Sequence, residues 1–173
     1  MRPFYILIFE FLNLIDLRYR ARTIGNILDS IRMYFLKRCG VKIGRNSRLG
    51  SNIFILDYNN LEIGDQSSIG KNSEIFNYDK VKIGSNVDIG TQLYINTSNH
   101  VFSDKNKPVS KQGAINNQII VENDVWMGAR VTILSGAYIS ERVVIGAGTI
   151  VSKKLESKKI YAGNPAKVVN ELQ

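Results

Sequence analysis

Val81-Lys82-Ile83-Gly84-Ser85-Asn86-Val87-Asp88-Ile89-Gly90-Thr91-Gln92-Leu93-Tyr94-Ile95 sets an isoleucine at every sixth position, with glycine after the first two. The same mark recurs toward the N-terminus at Ile43, Leu49, Ile55, Ile63, Ile69 and Ile75. Toward the C-terminus it recurs at Val121, Met127, Ile133, Ile139, Ile145 and Val151. Two residues before each mark the side chain is mostly small or aliphatic, as at Val41, Ser47, Leu61, Ser67, Val125 and Val131. A fixed period of six residues is the sequence sign of a parallel β-helix. Each short strand turns one aliphatic side chain inward, stacked coils align these into apolar columns, and backbone hydrogen bonds run from coil to coil. One coil buries nothing by itself; a stack buries a continuous core.

The spacing carries a second message. Ile43, Ile63 and Ile83 are twenty residues apart, which is three hexapeptides plus two residues. The extra residues fall at one corner of each early coil, near Asp57–Asn60 and again near Asn77–Lys80. When that corner arrives a third time, after Ile95, about twenty extra residues appear, from about Asn96 to Gln118. This predicts about five three-sided coils, with Gly and Asn (Asn46, Asn52, Asn72, Asn86) serving tight or positive-φ corners. It also predicts one long irregular loop, and such loops on a rigid scaffold usually carry function.

Composition narrows the classes. The 173 residues suit one domain plus an extension, and a single cysteine, Cys39, permits no internal disulfide. The net charge of +8 is accompanied by no nucleic-acid recognition motif and no aromatic-interleaved basic platform, so phosphorylated small molecules or an anionic membrane surface fit it better. The first forty residues differ in kind. Phe4 to Leu17 is apolar but interrupted by Glu10, Asn13 and Asp16, too short and polar to span a bilayer, and without the marks of a signal peptide. Arg18, Arg20 and Arg22 follow, then Ile24, Ile27, Leu28, Ile31, Tyr34 and Phe35 in helical spacing up to Gly40. This extension reads either as a cap on the first coil or as a peripheral contact with a membrane.

His100 is the only histidine, and it sits in the long loop within Asn96-Thr97-Ser98-Asn99-His100. Near neutral pH an imidazole can take a proton from a hydroxyl. No nucleophile elbow accompanies it. Zinc is not expected, since one histidine and a distant Cys39 fall short of the three or four ligands a site needs.

Three stretches carry a resemblance. Ile119 to Gly136 (IIVENDVWMGARVTILSG), Val144 to Lys153 (VIGAGTIVSK) and Tyr161 to Val169 (YAGNPAKVV) resemble the signature of hexapeptide-repeat acyltransferases, over residues 41 to 169. Ile31 to Gly44, with Pro108-Val109 and Gln112-Gly113, resembles the polysaccharide O-acetyltransferases of capsule, O-antigen and colanic acid. The resemblance implies a left-handed parallel β-helix, homotrimers, acetyl-CoA as cosubstrate and active sites between subunits. A zinc-dependent branch of the same fold, of the carbonic-anhydrase type, uses three histidines and does not fit. The expected architecture is therefore an all-β solenoid, a left-handed parallel β-helix of about five coils, with N-terminal helices and a short C-terminal helix. Its parts are a helical extension at 1–40, the β-helix at 41–160 with its loop at 96–118, and a tail at 161–173.

Carried over by position, the resemblance makes His100 the base that deprotonates the acceptor hydroxyl. It sets Ala129 and Ala147 along the pantetheine arm of acetyl-CoA, and Ser152, Lys153 and Lys167 near the CoA phosphates, where lysine is a suitable point charge. Trp126 stands beside the acceptor or thioester, or else packs at a trimer interface. Asn77 and Asn99 are expected at the acceptor, although Asn77 and Tyr78 replace acidic residues of the galactoside and maltose type. The expected function is O-acetylation of a sugar hydroxyl in surface polysaccharide synthesis, in the cytoplasm or peripherally on the inner face of a bacterial membrane. Alternatives are another hydroxylated acceptor, such as a streptogramin-type antibiotic or serine, and a non-catalytic structural or binding solenoid.

Overall fold

In the computed structural model residues 2–16 and 22–172 are described, 22 and 23 for their backbone only. Residues 42–162 wind into a three-faced left-handed prism. The first face stacks the strands Lys42–Ile43, Leu61–Ile63, Val81–Ile83, Ile119–Val121 and Tyr138–Ile139. The second runs from Arg48–Leu49 through Ser68–Ile69, Asp88–Ile89, Trp126–Met127 and Val144–Ile145 to Lys159–Ala162. The third holds Phe54–Ile55, Glu74–Phe76, Tyr94–Asn96, Thr132–Leu134 and Ile150–Val151. All these strands pair in parallel, mark over mark: Ile43 with Ile63, Ile63 with Ile83, Ile83 with Val121, Val121 with Ile139. Five coils are complete, and Leu155, bridged to Ile139, begins a sixth.

The period of six follows from what the prism buries. The marks Ile75, Ile95, Ile133, Ile145 and Val151 are fully buried, as are Leu61, Val81, Val87 and Val131 two positions earlier. Where the earlier position is serine, its hydroxyl is used between coils. Ser47 Oγ donates to the Gly64 carbonyl at 2.6 Å and accepts from the Ser67 N–H at 3.1 Å; Ser67 repeats this with Gly84 and Val87.

Glycine and asparagine turn the corners for different reasons. A Cβ on Gly70 would lie 2.4 Å from the Gly90 carbonyl oxygen, and one on Gly90 would lie 2.7 Å from the Ala129 nitrogen. Glycine here permits close approach of coils. The left-handed conformation belongs to Asn46, Asn52, Asn72 and Asn86, at φ 53–58°. Gln66, Gln92, Arg130 and Arg142 adopt it as well, at φ 55–62°, although those residue types give no sign of it in a sequence.

Two helices close the N-terminal end: α1 (Arg2–Asn13) and α2 (Arg22–Cys39). Phe9, Leu36 and Cys39 are buried against the first coil, and burial pushes the Cys39 thiol up to about 11. The polar residues that interrupt the apolar run hold this cap in place. Asn13 is buried, donates to the Ile53 carbonyl at 2.8 Å and accepts from the Ile53 N–H at 3.0 Å, so its amide takes the part of a missing coil. Glu10 accepts from the Tyr58 hydroxyl, and Asp16 meets Lys71 at 3.0 Å. No described helix is long and apolar enough to cross a membrane. Arg18, Arg20 and the side chain of Arg22 lie outside the described residues.

The C-terminal end corrects one expectation. In place of a short helix, Lys167–Glu171 folds back as an antiparallel strand on Lys159–Ala162. Val168 and Val169 favour an extended chain, Gly163 at φ 95° makes the turn, and the return strand supplies hydrogen-bond partners to the last edge of the second face, which a helix would leave open.

Because the coils touch through Cβ-free corners, Gly90→Ala should lower the free energy of unfolding by about 1–3 kcal/mol, the usual cost of overpacking. Urea unfolding followed by circular dichroism checks this, and a stability equal to wild type would contradict it.

Candidate active site

The long insertion is an ordered arm rather than an irregular loop. It leaves the corner between the third and first faces. Its root is Thr97, which is fully buried; Asp79 N–H donates to Thr97 Oγ1 at 3.0 Å, and Asn117 N–H donates to the Thr97 carbonyl at 2.9 Å. From this root Ser98–His100 and Ala114–Asn116 pair as an antiparallel ribbon, Asn99 opposite Ile115 and His100 opposite Ala114. Gln112 gathers the tip: its amide donates to the carbonyls of Asp104 at 2.9 Å and Lys107 at 2.8 Å, while its oxygen accepts from the Asp104 N–H at 3.0 Å. Both His100 and Asn99 are exposed. The ribbon therefore presents an imidazole to solvent on a backbone that the buried root and pinned tip hold in one shape. Sequence reading placed His100 in the insertion but missed Gln112 as the residue that orders it.

The other expected site residues divide between edges of the prism. Ala129 and Ala147 stack on the corner between the second and third faces: a Cβ on Gly128, next to Ala129, would lie 2.7 Å from the Ala147 nitrogen. Ala162 continues that column under Gly146, and Lys167 is its strand partner. Ala147 and Lys167 are exposed and Ala129 is half-buried. Trp126, 52% exposed, points outward on the second face three residues before this corner. Ser152 and Lys153, both exposed, follow the strand Ile150–Val151 and so lie at the corner that bears the arm, two coils beyond it. The structure thus brings Trp126, Ala129, Ala147 and Lys167 to one edge of the third face and His100, Asn99, Ser152 and Lys153 to the other.

Asn77 does not present itself to a ligand. It is fully buried, donates to the Asp57 carbonyl at 2.6 Å and accepts from the Asp57 N–H at 3.0 Å. Its amide staples two coils where the early corner bulges, and this corrects its expected place at the acceptor.

The faces differ in chemistry. The first is polar: Lys42 meets Glu62 at 2.7 Å and holds its carboxyl below the usual range, and Glu122 is held low by the Tyr138 hydroxyl and the Glu141 N–H. The third carries an outward aromatic ladder, with ring centroids 5.0 Å apart for Phe54–Phe76 and 5.6 Å for Phe76–Tyr94. The signal for that ladder, aromatic residues flanking marks twenty apart, was present in the sequence but overshadowed by the inward marks. Among the described residues, no group of three or more His, Cys, Asp or Glu is placed to hold a metal ion.

Known proteins share this architecture. The family model for the hexapeptide repeat of succinyl-transferase matches residues 61–97 and 118–153. A protein of Lysinibacillus sphaericus named as a probable macrolide acetyltransferase is 35% identical over 68 residues, covering 39% of this chain. The match spans only 38% of that relative's own length. Among solved structures, a maltose O-acetyltransferase of Clostridium difficile 630 superposes with TM-score 0.80 at 22% identity, over 98% of this chain and 85% of the other. A hexapeptide-repeat acetyltransferase of Vibrio cholerae O1 biovar eltor, complexed with acetyl coenzyme A, gives TM-score 0.74 at 24% identity, over 83% of this chain and 78% of the other. At such identities the superpositions speak for the fold. With the six-residue repeat, the close-packed corners and the inserted arm, the matches make this chain similar to the hexapeptide-repeat acetyltransferases.

Proposed function

We propose that the protein is an acetyl-CoA-dependent O-acetyltransferase acting on a sugar hydroxyl in surface polysaccharide synthesis, peripherally on the inner face of a bacterial membrane. The observation that carries the reading is the lone histidine on a pinned, solvent-exposed arm. In the proposed reaction the acceptor hydroxyl gives its proton to the His100 imidazole, its oxygen bonds to the thioester carbonyl carbon, the carbon–sulfur bond breaks, and the CoA thiolate leaves and recovers the proton. The Ala129–Ala147 column offers a groove floor without bulk, along which the pantetheine arm can approach backbone amides. Lys167 at one end of that column, with Ser152 and Lys153 from the other edge, supplies hydroxyl and positive charge for the CoA phosphates. Asn99 and Trp126 complete the acceptor side. The related maltose enzyme supports a sugar acceptor. The Lysinibacillus sphaericus relative, named for macrolides, favours a macrolide or streptogramin as the second reading.

A homotrimer completes the site. Within one chain the histidine and the alanine corner flank the third face. If that face, with its aromatic ladder, turns toward a threefold axis, the arm edge of each subunit meets the alanine edge of the next, and three equivalent sites form. The ladder and its neighbour Leu56 supply apolar area suited to such packing: Phe54 and Leu56 are 45% and 40% exposed in the single chain.

Three measurements bear on this reading. His100→Ala should reduce thiol release from acetyl-CoA by roughly 10²–10⁴-fold with an oligosaccharide acceptor, leaving acetyl-CoA binding nearly intact; turnover within a few-fold of wild type would remove His100 from the chemistry. Lys167→Glu should raise the KM for acetyl-CoA more than that for the acceptor, and the difference should shrink with salt because exposed charges are screened; a change confined to the acceptor would give Lys167 another role. Light scattering should return about three times the chain mass, and a fully active monomer would exclude shared sites.

A further inference from the structure

The cap helices each have a second apolar face that the fold leaves uncovered. On α1 and the turn that follows it, Phe4, Leu7, Phe11 and Leu14 are 62–72% exposed, and their spacing of three, four and three residues makes a single stripe opposite buried Phe9. On α2, Ile24, Ile27, Ile31 and Tyr34 repeat that spacing and are 38–56% exposed. The stripes are joined by ring contacts: Phe4–Tyr5 at 6.0 Å, Tyr5–Phe35 at 6.1 Å and Tyr34–Phe35 at 5.3 Å. Two such stripes on neighbouring helices exceed the scattered exposure normal for a soluble surface.

Charge decides what covers them. Residues 1–40 contain seven arginines and lysines but three carboxylates, Glu10, Asp16 and Asp29. Each carboxylate already has a partner within the chain: Glu10 in the Tyr58 hydroxyl, Asp16 in Lys71 and Asp29 in Arg32. Of the cations, Arg32 is buried with Asp29 and Arg2 donates to the Cys39 carbonyl at 2.9 Å, while Lys37 and Arg38 are exposed. Arg38 continues the α2 stripe, its guanidinium 5.2 Å from the Tyr34 ring centroid and 5.8 Å from that of Tyr5. Two copies joined stripe to stripe would crowd these cations together, whereas an anionic lipid surface neutralises them. Arginine and tyrosine at the margin of an apolar stripe also suit an interface that is oily on one side and wet on the other.

We propose that the paired stripes of α1 and α2 lie flat on an anionic bilayer, the apolar residues entering the acyl boundary and Lys37 and Arg38 meeting lipid phosphates, so that the solenoid stands on the membrane by its N-terminal end. This deepens the peripheral location proposed above and stands apart from acetyl transfer itself. The test uses the full chain and vesicles of phosphatidylcholine alone or with about one third phosphatidylglycerol, at low salt, as attraction to surface charge requires. Wild type should float with the anionic vesicles and remain below with the neutral ones. The double variant Leu7→Glu/Ile27→Glu, altered only at exposed positions, should lose flotation at least about tenfold while keeping the wild-type circular dichroism spectrum, elution volume and turnover on a soluble acceptor. Wild type that ignores anionic vesicles would overturn the proposal. So would a wild type that elutes as a larger assembly than the variant without lipid, since a second copy would then cover the stripes. Loss of flotation with turnover unchanged would separate this surface from the catalytic reading.

Discussion

Every other feature of this protein depends on the peptide bonds of one coil reaching those of the next at two of the three corners. There the backbone comes so near the following coil that a methyl group would collide with it, at Gly70 and Gly90 among others. Close approach keeps the coil-to-coil hydrogen bonds near 2.8–2.9 Å, as in Gly70 N–H to Ile89 O and Asp88 N–H to Val125 O. It also keeps the aliphatic columns in register, mark on mark. A chain built this way has no tertiary plan beyond the next coil. Its problems concentrate at the two ends, where a stack of paired peptide groups has to stop.

The ends are solved by different chemistry. At the start, a side-chain amide from Asn13 answers both backbone groups of Ile53, and helices cover the exposed end of the prism. At the finish, the chain supplies an antiparallel strand to the last edge. In both places the groups satisfied are main-chain N–H and C=O, whose burial without partners would be costly. The polar residues scattered through the apolar N-terminal run are the fittings of the cap.

The sequence made the repeat legible because inward marks have a strict period and the residue types that fill them are few. Asn46, Asn52, Asn72 and Asn86 announced their left-handed corners for the same reason. Gln66, Arg130 and Arg142 take the same conformation silently, since the strain is offset by coil-to-coil bonding rather than avoided by residue choice. The histidine stood out by being single and lying in the insertion. Asn77 misled because a polar residue at a bulge looks the same in sequence whether it faces a ligand or staples the backbone. The C-terminal strand was hidden in a stretch whose form is set by the open edge beside it. The arrangement of the candidate site was least legible, because its halves lie on two edges of one face.

The root of the arm has one more consequence. Thr97 and Asn117 are joined by a hydrogen bond across the base of the insertion, so the chain leaves the corner and returns to nearly the same point. The coils above and below therefore meet a corner of ordinary width, whatever lies between those two residues. Mutation could lengthen, shorten or rewrite the ribbon without a strand changing partner or a mark leaving its column. Natural selection acting on such a lineage can refit its chemistry while inheriting its scaffold unchanged.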